Sequence, residues 1–187
     1  MSESASAKGE FRINTCFVWS LSQLVRLLPA KQLVISLTVE GEEAAQELLS
    51  AYACGIRHFP GSILEQAELY QAKLPDIVLT AARLREADIC EADLRRADFR
   101  RADLRDASLM ESNLVGANFS GSNLTGAWLV SADLSGADLR CACLHNTVLS
   151  GADLVGANLT GVNLETAALD GVRWQVSEPR ATRRASA

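Results

Sequence analysis

The chain has 187 residues, a formal net charge of −5 and five cysteines. This length accommodates one main domain with an extension, and the longest uncharged run near the N-terminus, residues 13–25, is too short to span a membrane. An odd cysteine count without a clear signal peptide predicts a reduced, cytoplasmic protein.

The N-terminal part of the chain, residues 1–40, contains no repeat. Residues 1–10 are small and polar and are predicted to be disordered. Apolar and β-branched residues predict strands at 11–19 and 32–39, and residues 20–28 predict a short helix that Pro29 ends. A secretory signal is the alternative interpretation of this segment, but Glu3 and Glu10 interrupt its basic region.

A second helix is predicted from Glu42 to Cys54. Acidic residues open it, apolar residues recur along one face, and Gly55 can cap its C-terminus. The helix directly precedes a repeat whose open end would expose unpaired strand groups, and such an end must be covered. We therefore interpret residues 11–56 as an extension with an N-terminal capping helix.

A five-residue phrase then repeats from residue 64 to Trp174. Every fifth position is apolar, and these twenty-three positions hold nineteen Leu, two Phe, one Ile and one Trp. Ala usually stands two residues earlier, Asp or Asn one residue earlier, and Gly often ends the phrase. A period of five fits neither a helix nor a flat strand, so the chain must turn once per phrase. Four right-angled corners give a coil of twenty residues, and Phe59, Phe99 and Phe119 then share one column.

Phrases such as Ala132-Asp133-Leu134-Ser135-Gly136 and Ala157-Asn158-Leu159-Thr160-Gly161 resemble the pentapeptide-repeat proteins. The resemblance covers roughly residues 57–174. It implies an all-β solenoid, a right-handed quadrilateral parallel β-helix, for which we expect about six coils over residues 57–176. The polar tail, residues 177–187, is predicted to be disordered. Because this family is abundant in cyanobacteria, the resemblance also implies a role in a regulatory or light-harvesting assembly.

The inward positions of the repeat are almost wholly Ala, Leu and Phe, so any site must use outward residues. We predict no catalytic residue and no cofactor. The sharpest metal candidate is Cys141, Cys143 and His145, which alternate with inward residues, but a soft-metal site needs a fourth ligand that the nearby sequence lacks. Small residues on a solvated wall are the favoured interpretation of this cluster.

Seven arginines between residues 83 and 105 form a second candidate, the arginine belt. Such a belt, taken alone, suggests phosphate or nucleic-acid binding. Six acidic residues are interleaved with it, however, and we predict that most of the arginines pair with carboxylates across neighbouring coils, so no nucleic-acid partner is expected. The belt consists of Arg83, Arg85, Arg95, Arg96, Arg100, Arg101 and Arg105.

A third candidate emerges when the sequence is folded into four columns. The wall whose central residues are 69, 89, 109, 129, 149 and 169 carries the most apolar outward residues, and exposed surface with Met and Trp marks contact sites. Two alternatives remain open: this wall is the contact surface for a protein partner, or the N-terminal segment or a second copy of the chain covers it. Its outward residues include Tyr70, Cys90, Met110, Trp128, Val130 and Val148.

The leading hypothesis is a non-catalytic interaction or scaffold module, a rigid rod that presents flat walls to a protein partner. An alternative within the family is a DNA-mimicking inhibitor of DNA gyrase that protects it from quinolones, which needs a long acidic surface. The polar tail here provides no apolar helix of the kind that joins such inhibitors into dimers. An enzyme is the third possibility and rests only on residues 11–40. The acidic residues available for DNA mimicry are Asp133, Asp138, Asp153, Glu165 and Asp170.

Overall fold

The computed structural model describes residues 34–38 and 41–174. Within these residues the chain forms one α-helix, α1 (Gly41–Ala53), and its remaining pairing consists of isolated parallel β-bridges rather than longer strands. The predicted strand at 11–19, the predicted helix at 20–28 and the two predicted disordered ends, 1–10 and 177–187, lie outside the described residues.

Bridges between residues twenty apart define the solenoid. Ile63 pairs with Arg83, Arg83 with Asp103, and Asp103 with Asn123, all in parallel, and three further columns of bridges repeat this spacing. Between neighbouring coils the backbone hydrogen bonds are short, as for the Leu124 N–H and the Cys143 carbonyl at 2.8 Å. The spacing confirms the predicted twenty-residue coil, and the four columns of bridges give the coil four walls.

Each corner of the repeat is a tight turn, and in all of the described corners from residue 61 to 171 except the one at Thr166 its third residue has a positive φ. In the first regular corner the Ala67 N–H donates to the Leu64 carbonyl at 3.2 Å, and Gln66 between them has φ 57°. This is the requirement of a type II turn, which favours glycine. Gly116 meets it with φ 67°, yet thirteen corners use other residues. The fold therefore imposes the turn even where glycine is missing.

The interior of the solenoid is a continuous column of apolar side chains. The repeated Leu residues are almost wholly buried from Leu64 to Leu154. Phe99 and Phe119 stack with their ring centroids 5.0 Å apart and their planes 9° from parallel, as the column assignment predicts. Close packing of this kind makes the interior hydrophobic burial the main stabilising contribution and leaves no cleft for chemistry inside the coils.

Two elements cover the N-terminal end of the solenoid. α1 begins and ends one residue before the predicted bounds, and Gly55, with φ 93°, follows it in a Schellman arrangement in which the Ile56 N–H donates to the Ala51 carbonyl. Residues 34–38 add an extended segment to the first coil, where the Ile35 N–H donates to the His58 carbonyl at 3.0 Å. The open edge of the first coil is thus paired as well as covered.

Candidate functional site

In the phrases that carry Asp or Asn before the central residue, that side chain is satisfied locally. It accepts a hydrogen bond from the backbone N–H of the residue after the centre, as Asp98 does from Arg100 at 3.1 Å. The side chain of that second residue then bonds to the same group: Arg100 to Asp98 at 2.6 Å and Ser120 to Asn118 at 2.8 Å. These short-range bonds explain why Asp and Asn recur before the centre.

The arginine belt follows this local rule, so the prediction that most of its members pair across coils is wrong. Arg95, Arg100 and Arg105 bind the aspartate two residues earlier in their own phrase. Arg96 and Arg83 do reach carboxylates of the preceding coil. Among the described residues, Arg85 and Arg101 have no carboxylate partner.

Two of the ion pairs in the belt lower the pKa of their carboxyls. Hydrogen bonds from Arg95 lower the pKa of Asp93, and those from Arg105 lower the pKa of Asp103. Both carboxyls are therefore ionised at neutral pH and neutralise the adjacent guanidinium. Since most of the belt is neutralised in this way, it presents little free positive charge to a phosphate backbone.

The metal candidate residues are not brought together into a metal-binding set. Cys143 Sγ lies 3.3 Å from the Thr125 hydroxyl of the preceding coil, whereas His145 Nδ1 lies 2.9 Å from the Thr166 hydroxyl of the following coil. The contact with Thr125 and the His145 N–H lower the pKa of the Cys143 thiol. No group of three potential ligands that could hold a metal ion, with or without Cys141, occurs in residues 34–38 and 41–174.

The acidic residues proposed for DNA mimicry are partly neutralised. Asp138 bonds to Arg140 at 2.7 Å, and Asp153 bonds to Arg173 at 2.8 Å. Asp133 accepts the Ser135 hydroxyl at 2.5 Å instead. The later coils therefore carry a thinner negative surface than the sequence suggests, which weakens the gyrase-inhibitor alternative.

The apolar wall contains a contiguous exposed patch in three successive coils. Trp128 is 51% exposed and Met110 is 36% exposed, while Val130 and Val148 are half-buried. Parallel bridges join Trp128 to Ser108 on one side and to Val148 on the other, so the coils that carry these side chains are direct neighbours about 4.8 Å apart. We call these four residues, Met110, Trp128, Val130 and Val148, the apolar patch.

Tyr70 lies on the same wall but in a polar environment. Its hydroxyl donates to Glu91 Oε1 at 2.8 Å, and the Gln71 amide binds the same carboxylate at 2.8 Å. These two bonds lower the pKa of Glu91, and the bond to Glu91 raises the pKa of Tyr70. The half-buried Cys90, with its Sγ 2.9 Å from the Ser108 hydroxyl, stands between Tyr70 and the apolar patch. Tyr70 therefore lies beside the patch rather than within it.

A feature that our sequence analysis missed is the uniform charge of this wall. The wall and its two corners comprise residues 66–71, 86–91, 106–111, 126–131, 146–151 and 166–171, all of them described, and none is Lys or Arg. The signal was available, since sorting charges by column as well as by position along the chain would have found it. The wall's acidic residues are Glu68, Glu86, Asp88, Glu91, Asp106, Glu111 and Asp170.

The family model of pentapeptide repeats matches the chain in eight copies. Its matches cover more than half of the 187 residues. No curated protein matches the chain in sequence. The matched segments are 62–101, 77–116, 91–126, 117–154, 127–165 and 137–173.

Several solved pentapeptide-repeat structures are similar to the chain. Rfr23 from the cyanobacterium Cyanothece 51142 is 28% identical over 58% of this chain and 84% of its own, with a TM-score of 0.40. HetL from the cyanobacterium Nostoc is involved in heterocyst differentiation regulation. It is 25% identical over 68% of this chain and 91% of its own, with a TM-score of 0.27. QnrB1, a plasmid-mediated fluoroquinolone resistance protein, is 16% identical over 63% of this chain and 84% of its own, also with a TM-score of 0.27. With TM-scores below 0.5, these likenesses add nothing to the family match.

α1, with 13 residues, is too short to cross a bilayer, and the described part of the chain contains no helix that could do so.

Proposed function

Since this chain belongs to the pentapeptide-repeat family, whose fold is a right-handed β-helix, we propose that it is a non-catalytic protein-interaction module. It is a rigid rod of about six coils, about 29 Å long at about 4.8 Å per coil, that presents its apolar wall to a protein partner. It acts in the cytoplasm, in a regulatory or assembly role, and its four unpaired cysteines in the described residues suit a reducing compartment.

The half-exposed Trp128 is the single observation that carries this proposal. An indole in water loses the stabilisation that burial would give it, and Trp, Met and Tyr are enriched where proteins meet. Its neighbours Met110, Val130 and Val148 extend the apolar patch over three coils. The bridged backbone beneath them holds these side chains in fixed relative positions, so binding orders little of the chain.

Capture from an extract of the native organism tests the proposal. The bait is the full chain, and the test variant carries Trp128→Ser with Met110→Ser. The matched control carries Val115→Ser with Val155→Ser, two half-buried outward residues of a neighbouring wall. We expect the native chain and the control to retain one protein that the test variant loses. Equal capture by both variants would remove the patch from the function.

The gyrase-inhibitor alternative has a separate test. Purified chain is added to a DNA supercoiling assay with gyrase at increasing molar ratio. We expect supercoiling to continue, because Arg140 and Arg173 neutralise two of the five carboxylates that would imitate DNA phosphates. Inhibition at stoichiometric ratio would replace the interaction-module proposal with the alternative.

A further inference from the structure

Residues 11–33 have the composition that the apolar wall requires of a bound segment. They contain no Asp or Glu and carry Arg12, Arg26 and Lys31. The apolar wall has the opposite charge, because it carries acidic residues and no Lys or Arg. Opposite charge at the rim of a contact guides pairing and disfavours wrong partners. Between their charges the N-terminal residues include Phe11, Ile13, Phe17, Val18, Trp19, Leu21, Leu24, Val25, Leu27 and Leu28.

The interior of the solenoid has no space for a further apolar segment. The interior from Leu64 to Leu154 is already filled by close-packed Leu, Phe and Ala. Among the described residues only Leu49, Tyr70, Met110 and Trp128 are large and exposed, and all except Leu49 lie on the acidic wall.

The chain is long enough for the connection. Val34 pairs with His58 in the column opposite the wall, one layer before Glu68, and three further bridges lead from Glu68 to Trp128. The segment must therefore cross about four layers, or about 19 Å at about 4.8 Å per layer, and pass around half a coil, which at about 3.3 Å per residue adds at most about 33 Å. The residues from 11 to 33 can span about 76 Å when extended, at about 3.3 Å per residue.

We propose that residues 11–33 of this chain dock on the apolar wall, with their apolar side chains on the apolar patch and their basic side chains toward the acidic rim. The proposal rests on the proposed function and deepens it, because a partner must then displace a resident segment. Covalent connection favours this occupant, since a tethered segment acts at millimolar effective concentration. A second copy of the wall is disfavoured because two acidic rims would repel each other.

Fluorescence quenching of Trp128 tests the docking in the purified full chain. Trp19→Phe with Trp174→Phe leaves Trp128 as the only tryptophan. The test variant adds Phe17→Ser with Leu21→Ser, and the matched control instead adds Leu49→Ser, an exposed apolar residue of α1. We expect acrylamide to quench Trp128 several-fold more strongly in the test variant, with emission shifted to longer wavelength, and no change in the control.

Charge reversal provides a second, independent variant that leaves the apolar residues in place. Arg12→Glu with Arg26→Glu should also raise the quenching of Trp128, because the reversed segment is repelled by the rim. Equal quenching in the parent, both segment variants and the control would overturn the proposal. Shielding that disappears on dilution would overturn it too, by identifying a second copy as the occupant.

Failure of this inference differs from failure of the proposed function. The quenching assay contains no partner, so a freely quenched Trp128 leaves an open wall that can still bind one. The proposed function is wrong if the native chain and the double variant Trp128→Ser, Met110→Ser capture the partner equally. This holds whatever the quenching result is. Circular dichroism of each variant confirms that the solenoid is folded before either result is interpreted.

Discussion

The substitution Leu124→Asp places a carboxyl inside the solenoid at a position that is completely buried. Leu124 has 0% exposure, and the central residues twenty before and after it, Leu104 and Leu144, are 0% and 1% exposed. Loss of the Leu side chain alone removes about 1.5–3 kcal/mol of apolar burial. The carboxyl has no buried partner, and burying an unsatisfied polar group adds about 1–3 kcal/mol or more.

The total cost of Leu124→Asp is therefore about 3–6 kcal/mol, a large part of the about 5–15 kcal/mol that stabilises a typical domain. The matched control is Asn123→Asp, one residue earlier, which adds the same charge on the outward side and keeps an acceptor for the Thr125 N–H. We expect this control to change stability by about 0.5 kcal/mol or less. Urea unfolding followed by circular dichroism measures both.

Equal unfolding midpoints for Leu124→Asp and Asn123→Asp would refute the five-residue register. The two positions are adjacent, so the experiment compares the inward and outward sides of one phrase with the same introduced group. A large loss of stability for Asn123→Asp and none for Leu124→Asp would show that residue 123, not residue 124, faces the interior.

Three further predictions concern the interior, the ion pairs and the capped end. Ser122→Ala should stabilise the protein by about 1 kcal/mol because the buried Ser122 hydroxyl has no hydrogen-bond partner. Ser112→Ala should destabilise it by about the same amount because the Ser112 hydroxyl donates to a carbonyl at 2.6 Å. The reverse order of melting temperatures would contradict this. Arg105→Ala should lower the melting temperature at pH 7, because ionised Asp103, whose pKa Arg105 lowers, stabilises the folded state above the unfolded pKa. The difference in melting temperature between the variant and the native chain should shrink as pH falls below about 4 and Asp103 is protonated. A constant difference down to pH 2 would contradict the pairing. Deleting residues 1–55 removes α1 and the paired segment 34–38, so the truncated chain should aggregate in light scattering, and a stable monomer would show that the cap is dispensable.

The period of five residues was sufficient to predict the coil and its interior. Inward and outward positions, the shared column of Phe99 and Phe119 and the closure of α1 by Gly55 all followed from spacing and elementary backbone preferences. These features depend on where a residue stands in its phrase, and the sequence states that position directly. The pairing of residues 34–38 with His58 and Ile63 needed the three-dimensional placement of a non-repeating segment.

Side-chain partners were less predictable than backbone positions. The carboxylate that an arginine of the belt can reach depends on its position in the phrase. An arginine directly after the central residue can bind an aspartate two residues earlier where the phrase has one, whereas an arginine at a corner has none there and can instead reach the preceding coil. Arg100 follows the central residue and binds Asp98, whereas Arg96 stands at a corner with φ 57° and binds Asp76. The corners without glycine were predicted by the period, but the positive φ of their residues, such as 56° at Glu111, was not, because neighbouring coils enforce a conformation that the local sequence alone disfavours.

The most direct test of the account is the affinity of the captured partner for two variants of the full chain. Calorimetry measures the Kd of the partner for two double variants. The test variant carries Trp128→Ser and Met110→Ser, and the control carries Val115→Ser and Val155→Ser. A buried Trp anchor commonly carries about 2 kcal/mol or more of binding, so the first variant should raise the Kd by about 30-fold or more while the control leaves it unchanged. Equal Kd values for the two variants would contradict the assignment of the apolar patch as the binding surface.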